Sequence, residues 1–145
     1  MNNQYYLAIH KIITSGHWIT DQVGKALKEF GISEPQYNVL RVLKQAGGEP
    51  VTVQEILAQM VQASSNVTRI IDKLLQKGLV DRNENPNNRR KMDITITVQG
   101  MVLLEKLDQA VHAFHAPMQD RLSDEELGQL RSLISKLIDG KAPSS

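Results

Sequence analysis

The sequence predicts a mainly α-helical chain with one small β-hairpin. Three observations lead there. Six stretches place apolar residues at mixed three- and four-residue steps, the mark of helices with one buried face. One stretch alternates Met92, Ile94, Ile96 and Val98 with Asp93, Thr95 and Thr97, the two-residue period of a half-buried strand. Ser33, Thr52 and Ser123 are each followed three positions later by Gln or Glu, the pattern of a capping box at a helix start.

The first helix is expected from about Tyr5 to Phe30, on the strength of Leu7, Ile9, Ile12, Ile13, Trp18, Ile19, Val23, Ala26, Leu27 and Phe30. A slight bend is expected at Gly16 and a stop at Gly31. Ser33-Glu34-Pro35-Gln36 combines a cap, a first-turn proline and the box glutamine, so a second helix starts there. It buries Tyr37, Val39, Leu40, Val42 and Leu43 and ends at Gly47-Gly48. Thr52 caps a short third helix to about Met60, with Val53, Ile56, Leu57 and Met60 on one face. Ser64 or Ser65 caps a fourth, running to about Lys77, with Val67, Ile70, Ile71, Leu74 and Leu75 as its stripe and Gly78 as its stop. Leu79 to Asn83 is read as the first hairpin strand, Glu84 to Arg90 as the tip, and Met92 to Val98 as the return strand. Gly100 precedes a fifth helix, about Met101 to Phe114, with Pro117 interrupting or bending the chain beyond it. Ser123 caps a sixth, carrying Leu127, Leu130, Leu133, Ile134, Leu137 and Ile138 to Gly140, and residues 141–145 are a frayed tail.

At 145 residues, 41% apolar and 23% charged, the chain has the size and composition of a single globular domain. It has no cysteine, which removes disulfides, thiolate metal ligands and thiol redox sensing. No apolar run reaches spanning length and the N-terminus does not read as a signal peptide, so a soluble, cytoplasmic protein without a membrane partner is expected. The net charge of +1 is unevenly spread. Residues 62–91 hold seven positive and three negative side chains, whereas residues 92–145 hold five and eight. A local basic block suits phosphate.

The fourth helix leaves Ser64, Ser65, Asn66, Thr68, Arg69, Lys73 and Gln76 outside its apolar stripe. Such groups suit the major groove, where arginine favours guanine and asparagine favours adenine. Ser64 and Ser65 read equally well as helix caps or as DNA contacts. Arg89, Arg90 and Lys91 follow the hairpin turn; arginines on a projecting loop suit the narrow minor groove, and Lys91 suits a phosphate. The expectation is duplex DNA as partner. No phosphate loop, nucleophile elbow, zinc-protease motif or dinucleotide fingerprint is present, so no enzyme is expected. His10 and His17 lie seven apart, and His112 and His115 three apart near Asp108. Without cysteine or a histidine-rich cluster, neither a metal nor a cofactor is expected.

The stretches SSNVTRIIDKLLQKG and LLQKGLVDRNENPNNRRKMDITITVQG resemble the signature of the MarR family of winged helix-turn-helix regulators, and the order of six helices and one hairpin matches over nearly the whole chain. In that pattern Gly-Leu-Val-x-Arg leads into a wing ending Asp-x-Arg. Here Asn88 and Asn85 stand where the family often has aspartate, and ITVQG where it more often has LTxxG.

The resemblance implies a winged helix-turn-helix DNA-binding region over residues 33–99, flanked by dimerisation helices over 1–32 and 101–140. It places Arg90 as the wing arginine with Arg89 beside it. It also implies a homodimer on a pseudo-palindromic operator, with half-sites roughly 34 Å apart. Leu7, Ile12, Leu130, Ile134 and Leu137 are the interface candidates. An effector pocket is implied between the dimerising helices and the winged head, with His10, His17, Trp18, Tyr37, Met101 and His112 as candidates to line it. The implied function is a transcription repressor released by a small molecule. A winged-helix module for protein–protein contacts is the alternative, against which the basic hairpin argues.

Overall fold

Most of the helix ends written into the sequence become joints of the structure. The computed structural model describes residues 2–60 and 66–138. In chain order it contains α1 (Asn3–Lys28), α2 (Glu34–Gln45), β1 (Val51–Thr52), α3 (Val53–Gln59), α4 (Val67–Gln76), β2 (Val80–Asn85), β3 (Asn88–Ile96), α5 (Val98–Gln119) and α6 (Asp124–Ile138). The residues up to Val111 form one compact unit, and those from His112 on form a second.

In the first unit, α1 ends as expected at Gly31, whose φ of 71° is open to glycine at little cost. The Gly31 N–H donates to Lys28 O and the Ile32 N–H to Leu27 O, the paired bonds of a Schellman close. Ser33 and Gln36 then exchange both bonds of the capping box, at 3.3 and 3.2 Å. The α2 stripe is buried as expected: Tyr37, Val39, Leu40, Val42 and Leu43 all face inward. Leu27, Ile56, Ile71, Leu74, Ile94, Leu104 and Leu107 are fully buried as well. At about 2 kcal/mol for each large aliphatic side chain, this cluster is what holds the helices around the sheet.

Thr52 caps α3 by accepting from the Glu55 N–H at 3.2 Å. Only Ile56 of the expected α3 face is buried; Val53 and Met60 are half-buried and Leu57 is exposed. A seven-residue helix has room for one deeply inserted side chain. The expected caps of α4, Ser64 and Ser65, lie outside the described residues, as does the expected end of α6 at Gly140 and the tail 141–145.

The sheet departs from expectation in three places. Val51 and Thr52 form a third strand, β1, paired antiparallel with Ile94 and Asp93, so the order is β1-β3-β2. Two residues carry too little periodicity to announce a strand. Secondly, the hairpin link is only Pro86-Asn87 rather than Glu84 to Arg90. The Asn85 carboxamide oxygen accepts from the N–H groups of Asn87 and Asn88, at 2.9 and 3.1 Å, and this local turn closes the hairpin early. Thirdly, Val98 does not finish the return strand. It begins α5 and is 82% exposed, because Thr97 turns the chain: its hydroxyl oxygen accepts from the Gly100 N–H at 3.0 Å and its O–H donates to Gly78 O at 2.8 Å.

Consequently α5 starts before Met101 and contains Gly100. It also runs through Pro117 to Gln119 rather than stopping near Phe114. The proline sits in the last turn, where its missing N–H costs one bond to Ala113 O and the helix has little left to lose. In the second unit, Ser123 and Glu126 complete their reciprocal capping box at 3.0 and 3.1 Å. No residue of α6 is buried; Leu130, Leu133 and Leu137 are exposed and Ile134 is half-buried.

Polar contacts at Asp108 tie α2 to α5. The Tyr37 hydroxyl donates to Asp108 Oδ1 at 2.6 Å, and Lys44 stands 3.7 Å from Asp108 Oδ2. Burial, then the adjacent carboxylate, push the phenol far above the usual tyrosine range, so it stays a donor at any physiological pH. Replacing Tyr37 by Phe is expected to cost about 1.5 kcal/mol. A urea unfolding curve would display this as a lower midpoint at constant slope; an unchanged midpoint would mean that water serves Asp108 equally well.

Candidate nucleic-acid interface

A helix can present side chains outward only if its opposite face is anchored. On α4 the anchors are Val67, Ile71 and Leu74, all buried, and the outward set is Asn66, Thr68, Arg69, Lys73 and Gln76, all exposed. Ser64 and Ser65 complete the expected set but lie outside the described residues. α3 packs beside α4, giving the helix-turn-helix pair that the sequence suggested.

The hairpin register explains where the three cations go. Val80 to Glu84 pair in step with Ile96 to Met92, and then Asn85 pairs with Asn88. No β2 residue therefore lies across from Arg89, Arg90 and Lys91. They form a bulge rather than the loop tip, and bulges re-aim side chains away from the ladder. All three are exposed.

Asn88 and Asn85 hold this bulge. Asn88 Oδ1 accepts from the Arg90 backbone N–H at 3.0 Å, so the acceptor that a family aspartate would offer is present and is used on the main chain. Asn85 accepts two backbone bonds with its oxygen and donates with Nδ2 to Asp93 Oδ1 at 3.0 Å. An aspartate at position 85 would have no donor for Asp93. Asparagine is the chemistry this wing requires.

Wing and helix are joined by Arg82 on β2, whose guanidinium meets Asp72 on α4 at 2.9 Å. Neither was among the expected site residues, although both lie in the stretches that carry the family signature. This pair bridges α4 and the hairpin at their exposed surface. Between them runs a groove of about 230 Å³ lined by Thr68 and Ile71 of α4, Val53 and Gln54 of α3, and Arg82, Arg90, Lys91 and Met92 of the hairpin. Thr68, Arg90 and Lys91 are thus brought together. Lys73 instead borders a larger groove, about 660 Å³, on the other side of α4, shared with Lys28, Glu34, Gln36 and Lys77. Burial raises the Glu34 carboxyl above its usual range there. Among the described residues, no carboxylate lies within ion-pair distance of Arg69, Lys73, Arg89, Arg90 or Lys91.

The effector candidates are placed less coherently. His10, His17, Trp18 and Met101 are exposed, and Tyr37 is closed into the core beneath Arg41, whose guanidinium sits 5.6 Å from the ring centroid. None of them borders either groove. His112 is exposed in the second unit. Among the described residues no cluster of three or more His, Asp or Glu could hold a metal ion, and no helix is long and apolar enough to cross a membrane.

An anchored outward helix beside a bulged basic hairpin defines the winged helix-turn-helix class. Residues 32–92 match the MarR family model. The chain is 30% identical over 119 residues to the HTH-type transcriptional repressor MdtR of Bacillus subtilis, covering 82% of this chain and 76% of MdtR. A crystal structure of a mutant MarR from E. coli complexed with operator DNA superposes with a TM-score of 0.77 at 24% identity, over 94% of this chain and 96% of that one. CouR from Rhodococcus jostii bound to p-coumaroyl-CoA gives 0.73 at 26% identity, over 92% of each chain. The chain belongs to the MarR family of transcriptional regulators.

Proposed function

We propose that this protein is a cytoplasmic repressor that binds double-stranded DNA sequence-specifically, as a homodimer on a pseudo-palindromic operator, and is released by a small-molecule effector. The observation that carries the DNA reading is the single groove bringing Thr68 of α4 beside Arg90 and Lys91 of the wing. Asn66, Thr68 and Arg69 face base edges in the major groove, and Ser64 and Ser65 join them on sequence grounds alone. Arg90, with Arg89, enters the minor groove, while Lys73 and Lys91 hold phosphates.

Dimerisation is supported by surface that each terminal element leaves uncovered. Among its 26 residues α1 buries only Val23 and Leu27, leaving Leu7, Ile12 and Trp18 exposed. In α6, Leu130 and Leu137 are exposed beside half-buried Ile134. Exposed apolar strips of this length are interface surfaces. Residues 1–32 and 101–140 are thus the dimerising part of one regulator, and 33–99 its reading head. His10, His17, Trp18 and Met101, open in the single chain, line an effector pocket completed by the second copy. Repression and effector release draw support from the names of MdtR and of the CouR complex. An effector that favours a different placement of the two heads needs a coupling of about 1–3 kcal/mol.

The test is a salt titration. On a duplex selected from genomic fragments, the logarithm of affinity should fall linearly with the logarithm of salt, with slope about −0.9 for each phosphate neutralised. Absent or salt-insensitive binding would sink the DNA reading in favour of a protein-contact module.

A further inference from the structure

Three helix ends meet at one ammonium group. Lys77, at the C-terminal end of α4, donates from Nζ to the Gly31 carbonyl oxygen and, at 3.3 Å, to Gln36 Oε1. Gly31 closes α1, and Gln36 is the buried box residue that starts α2, its Oε1 also taking the Ser33 N–H. A cation just beyond the C-terminal end of α1 is favourable in its own right. What matters more is the direction from which it holds α4.

The apolar stripe of α4 sets its depth and its coarse rotation in the head, and directional bonds at the edges of the stripe add to the second. Among the bonds of the described residues, two reach α4 from opposite flanks, at Asp72 from the wing and at Lys77 from the α1–α2 joint. Five residues at about 100° each separate these by about 140° around the axis. Arg69 and Lys73 lie in the sector between them, and Thr68 lies about 40° beyond Asp72.

We propose that Lys77 is a positioning residue for sequence readout. It fixes the rotation of α4 so that the side chains of its outward face meet base edges in register. This rests on the DNA-reading function proposed above, and it adds a residue outside the contact set. A positioning residue acts on discrimination, whereas a phosphate contact acts on every duplex alike, so the two roles of a lysine can be told apart.

The experiment compares wild type, K77M and K77R on the duplex that wild type selects from a random pool and on a scrambled duplex of equal length, each across a range of salt. Methionine keeps the alkyl stem and removes the donor; arginine keeps charged donors within reach. K77M is expected to lose about tenfold on the selected duplex. Affinity for the scrambled duplex and the salt slope should stay as in wild type, and K77R should keep most of the discrimination. Thermal unfolding of each variant accompanies the binding, because a purely structural role lowers the midpoint without moving the ratio of the two affinities. Equal losses on both duplexes with a slope shallower by about one would make Lys77 a phosphate contact and overturn the proposal. An unchanged ratio in K77M would overturn it too. Should wild type select no duplex at all, the DNA reading and this inference fall together; should wild type select one and K77M match it, only the inference falls.

Discussion

Replacing Gly100 by alanine is expected to remove about 3 kcal/mol of stability, a large share of the roughly 5–15 kcal/mol available to a domain of this kind. A Cβ at this position would collide with the Leu79 carbonyl oxygen and come within 2.8 Å of Ile96 Cγ1. Neither neighbour can give way cheaply. Leu79 O already accepts from the Thr97 N–H at 3.0 Å, and Thr97 bonds both Gly78 and Gly100. Moving α5 aside therefore loosens the end of α4 and the base of the wing together. Gly16→Ala provides the contrast, since nothing lies within 4 Å of that Cβ and the site is inside a helix. That change should stabilise by about 0.5–1 kcal/mol. Urea midpoints for the two variants should shift in opposite directions. If Gly100→Ala unfolds within about 1 kcal/mol of wild type, the close approach is not a constraint on folding.

Replacing Arg90 by alanine is expected to weaken binding about a hundredfold on every duplex, about 2.7 kcal/mol. Each head of the proposed dimer would lose one groove-seated cation. The salt slope should become shallower by about two, one contact for each wing. The preference among sequences with equal minor-groove width should not change, because the base-reading side chains on α4 are untouched. The fold should survive, since Arg90 is exposed and its bond to Asn88 comes from the backbone N–H, which alanine keeps. Wild-type affinity in this variant would refute the assignment of Arg90 to the minor groove.

Much of the fold can be read from residues because its helix ends rest on local chemistry. Ser33 with Gln36 and Ser123 with Glu126 close within four residues, so the boxes need no knowledge of the rest of the chain. The stripe of α2 is legible for the same reason, its period being a property of one helix. The features that escape depend on distant partners. Val51 and Thr52 become a strand only because Ile94 and Asp93 come alongside. Gly100 reads as a helix boundary, yet its meaning is the carbonyl of Leu79, twenty-one residues earlier.

The site divides in the same way. The outward residues of α4 emerge by subtraction of its apolar stripe, and the wing cations from composition. The placement of those cations does not, because asparagines read as turn formers in general rather than as the acceptors that close a two-residue link. The bonds from α4 to the wing and to the α1–α2 joint, Arg82 to Asp72 and Lys77 to Gly31, join residues 10 and 46 positions apart, and no spacing rule reaches that far. The candidates for effector binding rest on residue type alone. That basis does not distinguish exposed Trp18 from buried Tyr37.

The bulge on β3 separates two obligations that a hairpin ordinarily combines. Residues paired across a ladder answer to their neighbours, so changing their size or charge disturbs the sheet. Arg89, Arg90 and Lys91 answer to none on β2. Their side chains are free to vary in length, charge and hydrogen-bonding pattern while Val80, Ile94 and the asparagine turn keep the hairpin intact. A wing built in this manner can change how tightly it grips a duplex by substitutions in three adjacent codons, without first acquiring stability to spare.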